Sequence, residues 1–346
     1  MTGLEHPWDV TFLPSGAMLV TERDKERIWL RRPGGAAQVV AEQPPGMWHW
    51  AETGLMGIVA DPAFAKNRHF YTCHGLKNDT VQVIRVVLWH LNDAGTHASR
   101  VRPVVTGIPS TTGYHGGCRL RFDRHGALYI STGDAKIGTG PQDLHSLAGK
   151  VLRVNRHTGR GLASNPFANA EDPDKRRIYT YGHRNPQGLA LRAGRSMWSV
   201  EQGTNRDDEV NRLVAGGNYG WDPAPGYDEF SPMTDFDLPG PQIGARWSSG
   251  FPTIATSGAS WLSDSRWGAW QGRLAVGVQK GTSLQVMHFS RAGEWLGSTA
   301  PAKLDDDYGR LRSPQIGPDG ALYITTDNSE GGSTVDKVLR VVPHPR

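Results

Sequence analysis

The stretch RLRFDRHGALYISTGD, Arg119–Asp134, holds an alternating apolar run, a turn centred on Gly126, and a second run that closes on Thr, Gly and Asp. Period-2 alternation rich in β-branched and aromatic residues on both sides of a glycine turn reads as a β-hairpin. The phrase recurs as VTFLPSGAMLVTER (Val10–Arg23), GLALRAGRSMWSVEQG (Gly188–Gly203) and SPQIGPDGALYITTD (Ser313–Asp327). Looser copies are GIVADPAFAKNRHFYTCHG (Gly57–Gly75) and GAWQGRLAVGVQKG (Gly268–Gly281). The turn positions Gly16, Asn67, Gly126, Gly194, Gly272 and Gly320 follow one another at intervals of 48 to 78 residues, which makes six units. Further alternating segments follow several of the hairpins, at Arg27–Arg32, Thr80–Leu91, Lys150–Arg156 and Lys337–Val342. Six repeats of four short antiparallel strands predict an all-β fold, one six-bladed β-propeller spanning residues 1–346. The competing architecture is a β-sandwich with long loops. The unequal spacing puts the extra chain into loops, where a rigid scaffold carries function. The longest are Trp48–Gly54, Gly133–Gly149 and Gly203–Ala245.

Composition agrees with a loop-rich β protein. The 346 residues include 43 glycines and 23 prolines, close to a fifth of the chain, against about 12% in ordinary proteins. Hydrophobic residues make up 37% and there are 12 tryptophans, which excludes a disordered chain. The net charge of +4 is small and spread along the sequence, so nothing marks a nucleic-acid surface. No apolar run approaches the roughly 20 residues of a membrane span. Met1 leads into Gly3, Leu4, Glu5 and His6 instead of a basic stretch and an apolar one, so no signal peptide is recognisable. Two cysteines, Cys73 and Cys118, exclude a disulfide scaffold and any CxxC site, and spacing alone leaves their pairing open.

Four stretches hold more polar and aromatic residues than a turn requires. In GYHGGCRL (Gly113–Leu120), His115 precedes one strand of the Arg119–Asp134 hairpin, and Asp134 ends the other. The hairpin brings the two together, and a carboxylate on one imidazole nitrogen fixes the tautomer a general base needs. YGHRNPQG (Tyr181–Gly188) offers His183, Arg184 and Asn185 ahead of a proline. EQGTNRDDEVN (Glu201–Asn211), followed by GGNYGWD (Gly216–Asp222), sets Glu201, Asp207, Asp208 and Glu209 among glycines, a composition that suits a hard, oxygen-seeking cation or a solvated acidic loop. Finally, Lys280 in GVQKG and Arg310 with Arg312 in GRLRS form a distributed basic set. Residues two apart in a strand share a face, so the two arginines can form a fork for a multiply charged anion. The sequence contains no GxGxxG, P-loop, HExxH or GxSxG signature.

Taken together, these stretches resemble one family, the soluble pyrroloquinoline-quinone (PQQ) dependent glucose and aldose-sugar dehydrogenases, or glucose/sorbosone dehydrogenases. The resemblance runs from PWDVTFLPSG at Pro7 to the last repeat. Its most specific parts are GHRNPQG (Gly182–Gly188), EQGTNRDDEVN with GGNYGW, and FPTIATSG (Phe251–Gly258), with GLMGIVADPAF (Gly54–Phe64) and ASNPF (Ala163–Phe167) in support. It implies that His115 is the base for the sugar C1 hydroxyl, with Asp134 orienting it. Arg184 and Asn185 would face the quinone oxygens, while Glu52, Gln202 and Asp208 would line the sugar site. The carbonyls of Gly203 and Thr204 would bind a catalytic calcium, and Glu209 with Tyr219 a structural one. Thr253, Lys280, Arg310 and Arg312 would hold the cofactor carboxylates. Departures from the family's pattern fall on the pocket wall: Thr204 where proline is usual, Glu52 for glutamine, Phe251 for tryptophan, and Tyr114 before His115 in place of aspartate.

The reading is therefore oxidation of an aldose at C1 to its lactone, with electrons passed to an external acceptor, by a periplasmic or secreted monomer or homodimer. A calcium-dependent lactonase is the rival from another reaction class and requires carboxylate and amide ligands pointing down the propeller axis. A propeller that only binds glycans or a protein partner is the third reading, with Trp48, Trp50, Trp221 and Trp267 as its contact residues.

Overall fold

The computed structural model describes residues 1–192 and 196–343, and its strands form six four-stranded antiparallel sheets arranged as a ring. The first strand, β1 (Thr2–Leu4), stands apart. Blade 1 is β2 (Pro7–Phe12), β3 (Met18–Glu22), β4 (Arg27–Arg31) and β5 (Ala37–Glu42). Blade 2 is β6 (Leu55–Ala60), β7 (His69–Lys77), β8 (Gln82–Leu91) and β9 (Ala98–Pro109). Blade 3 is β10 (Gly117–Phe122), β11 (Ala127–Thr132), β12 (Lys150–Asn155) and β13 (Ile178–Tyr181). Blade 4 is β14 (Pro186–Arg192), β15 (Ser196–Glu201), β16 (Glu209–Arg212) and β17 (Trp247–Ser248). Blade 5 is β18 (Thr256–Trp261), β19 (Leu274–Val278), β20 (Leu284–Phe289) and β21 (Trp295–Thr299). Blade 6 has β22 (Leu311–Ile316), β23 (Leu322–Thr326) and β24 (Asp336–Val341), and takes β1 as its fourth strand, with Thr2 opposite Lys337. The chain's two ends thus close the ring, which the repeat pattern alone did not predict. The inner strands β2, β6, β10, β14, β18 and β22 pack each on the next and the last on the first. A six-bladed propeller is therefore confirmed.

Gly16, Gly126, Gly272 and Gly320 sit at the hairpin turns with φ between +72° and +80°, as expected of turn glycines, while Gly194 lies outside the described residues. Asn67 differs. It ends a one-turn helix, α1 (Phe64–Asn67), and the left-handed residue is Arg68. In the fifth repeat the first strand of the hairpin is TSGASW (Thr256–Trp261), upstream of the expected phrase, with a 3-10 turn at Ser265–Trp270 between the strands. It lacks apolar alternation because small residues are required there: a Cβ on Gly258 would stand 2.8 Å from Ser313 Cα and 3.0 Å from Arg119 Nη2.

That glycine marks the axis. The third residues of the six inner strands are Asp9, Gly57, Arg119, Gly188, Gly258 and Ser313. Fully buried Arg119 fills the space the small ones leave. Its Nε donates to Gln187 O at 2.8 Å and its Nη2 to Ser313 Oγ at 2.8 Å, while Nη1 lies 2.6 Å from Asp9 Oδ1. The guanidinium also stands 4.0 Å from the Trp8 ring centroid. One side chain from blade 3 therefore ties together blades 1, 4 and 6. Between blades lie apolar layers, for example Trp198, Trp261 and Phe289 between blades 4 and 5. Cys73 of β7 and Cys118 of β10 form a disulfide that links blades 2 and 3.

Candidate active site

In every blade the register shifts by a bulge at the start of the inner strand, between Pro7 and Val10, Leu55 and Ile58, Gly117 and Leu120, Pro186 and Gly188, Thr256 and Ala259, and Leu311 and Ser313. Bulges re-aim side chains at the rims of barrels and sites. The residues just before these bulged ends are His6, Glu52, His115, Arg184 with Asn185, Thr253 and Arg310. Those just after the second strands of five blades are Arg23, Asp134, Gln202, Gln279 and Asp327. Both sets come to the same end of the ring by hairpin geometry.

His115 and Asp134 are the clearest pair. Gly117 opposes Thr132 in the ladder, and the two functional residues lie two positions beyond it on each strand. His115 Nδ1 donates to Asp134 Oδ1 at 2.8 Å, leaving Nε2 as the basic nitrogen. The backbone crosses so closely that a Cβ on Gly133 would collide with the His115 carbonyl, so only glycine fits there. Burial works to raise the Asp134 pKa, but hydrogen bonds and charge from His115, with Tyr227 adding to them, hold it below the usual value. Trp221 Nε1 and the Tyr227 hydroxyl each donate to Asp134 Oδ2 at 2.7 Å, and the Tyr227 oxygen is 3.0 Å from His115 Nδ1. Behind them the Lys150 ammonium is buried and donates to the carbonyls of Gly140, Pro141 and Ala148 at 2.6 to 3.0 Å, which pins the Gly133–Gly149 loop.

Arg184 is also buried. Its Nη1 donates to Gln202 O at 3.2 Å and its Nη2 to Glu229 Oε2 at 2.9 Å. Burial opposes its charge, yet Tyr227, Glu229 and Asp134 outweigh it and raise the pKa. Asn185 Nδ2 donates to Glu52 Oε2 at 3.0 Å, and that oxygen also accepts from the His115 amide at 3.0 Å. Glu52 thus joins the His115 loop to the Arg184 loop. Gln202 reaches Asn185 and Gln279, at 3.4 Å each.

Beside these groups lies a cavity of about 360 Å³, lined by Glu52, Gln202, Arg23, Arg310, Arg312 and Asp327 among others. Arg312 is buried and ion-paired at 2.5 Å with Asp327, which His6 Nδ1 contacts at 2.6 Å and Gln279 also contacts. Burial would raise the Asp327 pKa, and Arg312 drives it far below the carboxylate range. The expected basic set is therefore less uniform than its residue types implied: Arg310 is exposed at the cavity edge, Lys280 is exposed and outside its lining, and Thr253 is buried with its amide donating to Asn205 O. Asp208, expected to line the sugar site, is not among the residues that line this cavity. It is fully buried, and its carboxylate accepts from the amides of Gly203, Ile254 and Thr256 at 2.8 to 3.3 Å, clamping the Gly203 loop to the start of blade 5. Desolvation raises its pKa.

Three buried polar atoms at this site, Arg184 Nε, Arg312 Nε and Thr204 Oγ1, have no hydrogen-bond partner among the described residues. Unsatisfied buried polar groups are rare in native structures, and each calls for a water, an ion or a ligand as its partner. A second set lies below, in blade 4. Glu201 and Glu209 are both buried, and Asn211 Nδ2 donates to Glu201 Oε1 at 2.9 Å and to Glu209 Oε2 at 3.0 Å. Asn211 Oδ1 is buried without a partner. Desolvation, reinforced by Glu201, raises the Glu209 pKa well above its ordinary value. The Tyr219 hydroxyl is committed, donating to Arg212 O at 2.7 Å and accepting from the Val214 amide at 3.0 Å, so its carbonyl is the oxygen it has left to offer.

The sequence reading missed Tyr227, Glu229, Lys136, Trp221 in its contact with Asp134, Arg23, His6 and Asp327. Applying the His115–Asp134 hairpin logic to the other blades yields Arg23, His6 and Asp327. Nothing in sequence points to Tyr227 or Glu229, which the long Gly203–Ala245 loop folds back over blade 3.

The sequence is 31% identical over 349 residues to the aldose sugar dehydrogenase YliI of Escherichia coli K12, covering 98% of this chain and 91% of that one. It is 29% identical over 258 residues to quinoprotein glucose dehydrogenase B of Acinetobacter calcoaceticus, covering 67% and 53%. The PQQ-bound aldose sugar dehydrogenase of Streptomyces coelicolor superposes with a TM-score of 0.81 at 28% identity, covering 98% of this chain and 94% of its own. The profile of the Glucose / Sorbosone dehydrogenase family matches residues 4–339, and this chain belongs to that family.

Proposed function

We propose that the protein is a PQQ- and calcium-dependent aldose dehydrogenase that oxidises a sugar at C1 to its lactone and passes the electrons to an external acceptor. The observation that carries this reading is the buried His115–Asp134 pair beside Arg184, whose Nε lacks a partner. When bound, PQQ supplies the quinone that takes up the substrate's two electrons as hydride, and calcium on the carbonyls of Gly203 and Thr204 supplies Lewis-acid polarisation. His115 Nε2 removes the C1 hydroxyl proton, and Asp134 stabilises the imidazolium that results. Arg184, fixed by Gln202 and Glu229, offers its unpartnered Nε–H to the oxygen on which charge develops. Arg312, Arg310 and Arg23 supply cationic contacts for the cofactor carboxylates, and Asn185 with Glu52 positions the base loop. Thr204 Oγ1 and the unpartnered Arg312 Nε support the cofactor and calcium assignment. Buried Glu201, Glu209 and Asn211 Oδ1 support a structural calcium, to which Tyr219 would add its carbonyl.

The lactonase reading is not favoured: the axis carries Arg119, and Asp9 there is already neutralised by it. A binding-only propeller leaves the buried His115–Asp134 pair without a purpose. The Cys73–Cys118 disulfide supports a periplasmic or secreted location, where such bonds persist. No helix among the described residues is long and apolar enough to cross a membrane.

The test is His115→Gln in protein loaded with PQQ and calcium. Cofactor affinity by titration calorimetry stays near wild type, and aldose turnover with a dye acceptor falls at least about a hundredfold. Substantial turnover in the folded, loaded variant would move the base elsewhere.

A further inference from the structure

We propose that Lys136 and Glu229 are the pair that reads the sugar hydroxyls remote from C1, an inference that rests on the aldose dehydrogenase reading above. The two residues are 93 positions apart in sequence and belong to different loops. Lys136 follows β11 in the turn that Asp134 opens, held there because its own amide donates to Asp134 Oδ1 at 2.9 Å. Glu229 comes from the Gly203–Ala245 loop. Lys136 Nζ lies 3.4 Å from Glu229 Oε1, and Glu229 Oε2 accepts from Arg184 Nη2.

An exposed ion pair is usually a loose surface feature of little energetic weight. This one is different because both members are oriented by neighbours. Buried Arg184 grips Glu229, and the Lys136 ammonium stands 5.4 Å from the Tyr114 ring and 5.6 Å from the Tyr227 ring. Their ordering entropy is already spent before any ligand arrives, which is the condition for a preorganised site. Both side chains nevertheless remain open to solvent, at 37% and 33% exposure, while His115, Asp134 and Arg184 beneath them are buried. Both residues therefore carry a charged group to solvent while touching the buried dyad and its arginine.

The chemistry matches a sugar. A carboxylate accepts from two hydroxyls and an ammonium donates to a third, and charge-assisted bonds of this kind are the strong ones. The Tyr114 ring, 47% exposed, adds an apolar face for the C–H side of a pyranose. Each residue also touches the catalytic groups directly, Glu229 through Arg184 and Lys136 through Asp134, so the pair and the reacting carbon share one frame.

The experiment compares wild type, Glu229→Gln and Lys136→Met, each loaded with PQQ and calcium, on glucose and its 2-, 3-, 4- and 6-deoxy analogues. For glucose, KM rises about tenfold in each variant, the loss expected for one charge-assisted contact, and in Lys136→Met, whose side chain does not hold Arg184, kcat stays within about threefold. At one or two positions the wild-type preference for the hydroxyl over the deoxy sugar collapses in the variants, which is the coupling a direct contact produces. PQQ affinity of apo Lys136→Met, measured by titration, stays within about twofold of wild type. The proposal is overturned if KM stays within about twofold of wild type for every sugar in both variants, or if it rises equally for all five. It is overturned as well if Glu229→Gln weakens PQQ binding while KM is unchanged, since Glu229 then serves the cofactor through Arg184. A wild-type protein that binds PQQ yet oxidises none of these aldoses sinks the reaction assigned above, and this pair with it.

Discussion

Two clusters of buried carboxylate occupy this ring, and they are built to opposite rules. On the axis, Asp9 is fully buried, and burial by itself would raise its pKa. Arg119 and Arg121 reverse that and hold it below the ordinary value. In blade 4, Glu201 and Glu209 are buried together, and among the described residues no lysine or arginine forms an ion pair with either. Glu209 is pushed the other way, and Asn211 Oδ1 points to a further missing partner. In the first cluster the charges are matched within the chain, and it acts as fold glue. The second is a concentration of oxygen ligands with a deficit of positive charge, the donor set a hard cation takes.

The comparison is broken most severely at Arg119. Replacing it by methionine leaves Gln187 O and Ser313 Oγ without their donor and Asp9 with Arg121 alone. Losing one partner of a buried pair typically costs about 3–5 kcal/mol. Denaturant unfolding of Arg119→Met is expected to show a loss of that size, and a loss below about 1 kcal/mol would mean that the axis is not held by this residue. Equivalent damage is not expected in blade 4.

A smaller effect follows calcium. If blade 4 is a cation site, calcium at a hundredfold excess over its dissociation constant stabilises the fold by about 2.7 kcal/mol. Glu209→Gln should abolish the rise in melting temperature while leaving the calcium-free protein as stable as wild type or more so, because a neutral amide removes the repulsion with Glu201. A calcium response that survives Glu209→Gln would relocate the site.

The smallest expected effect is on pH dependence. Glu209 has a folded pKa above its unfolded one, so the folded state holds its proton more tightly. Stability from this group is fully present below the ordinary carboxylate range and is lost as pH rises through the folded value, at up to about 1.4 kcal/mol per pH unit. Calcium-free protein should therefore lose stability as pH rises above the ordinary carboxylate range, and calcium should flatten that slope. Asp9, with its lowered pKa, has the opposite sign: its contribution is present above the unfolded pKa and lost as pH falls. An unfolding series in EDTA that rises with pH over the neutral range would contradict the assignment to Glu209.

The propeller and its principal dyad were legible in the sequence because both depend on local order. Alternation, a turn glycine and a return strand are written within sixteen residues at Arg119–Asp134, and a hairpin forces His115 and Asp134 to the same end whatever the rest of the chain does. The repeat then fixes six such ends. Beyond that, residue type was a poor guide to role. Asp208, an acid in a glycine-rich loop, became a clamp for backbone amides because its loop is covered by the start of blade 5. Lys280 and Arg312 carry the same charge, but one is exposed and the other buried on Asp327, since strand position sets burial and the packing of neighbouring blades sets partners. The contacts of Tyr227 and Glu229 with His115, Asp134 and Arg184, and of Arg119 with three other blades, span up to 194 residues of sequence. They exist only because the ring closes, through β1 on β24, and brings chemically separate segments to one axis. Local periodicity thus determined the scaffold and the His115–Asp134 pairing. Closure of the ring and the fold-back of one long loop decided which charges are paired and which are left open beside that pair.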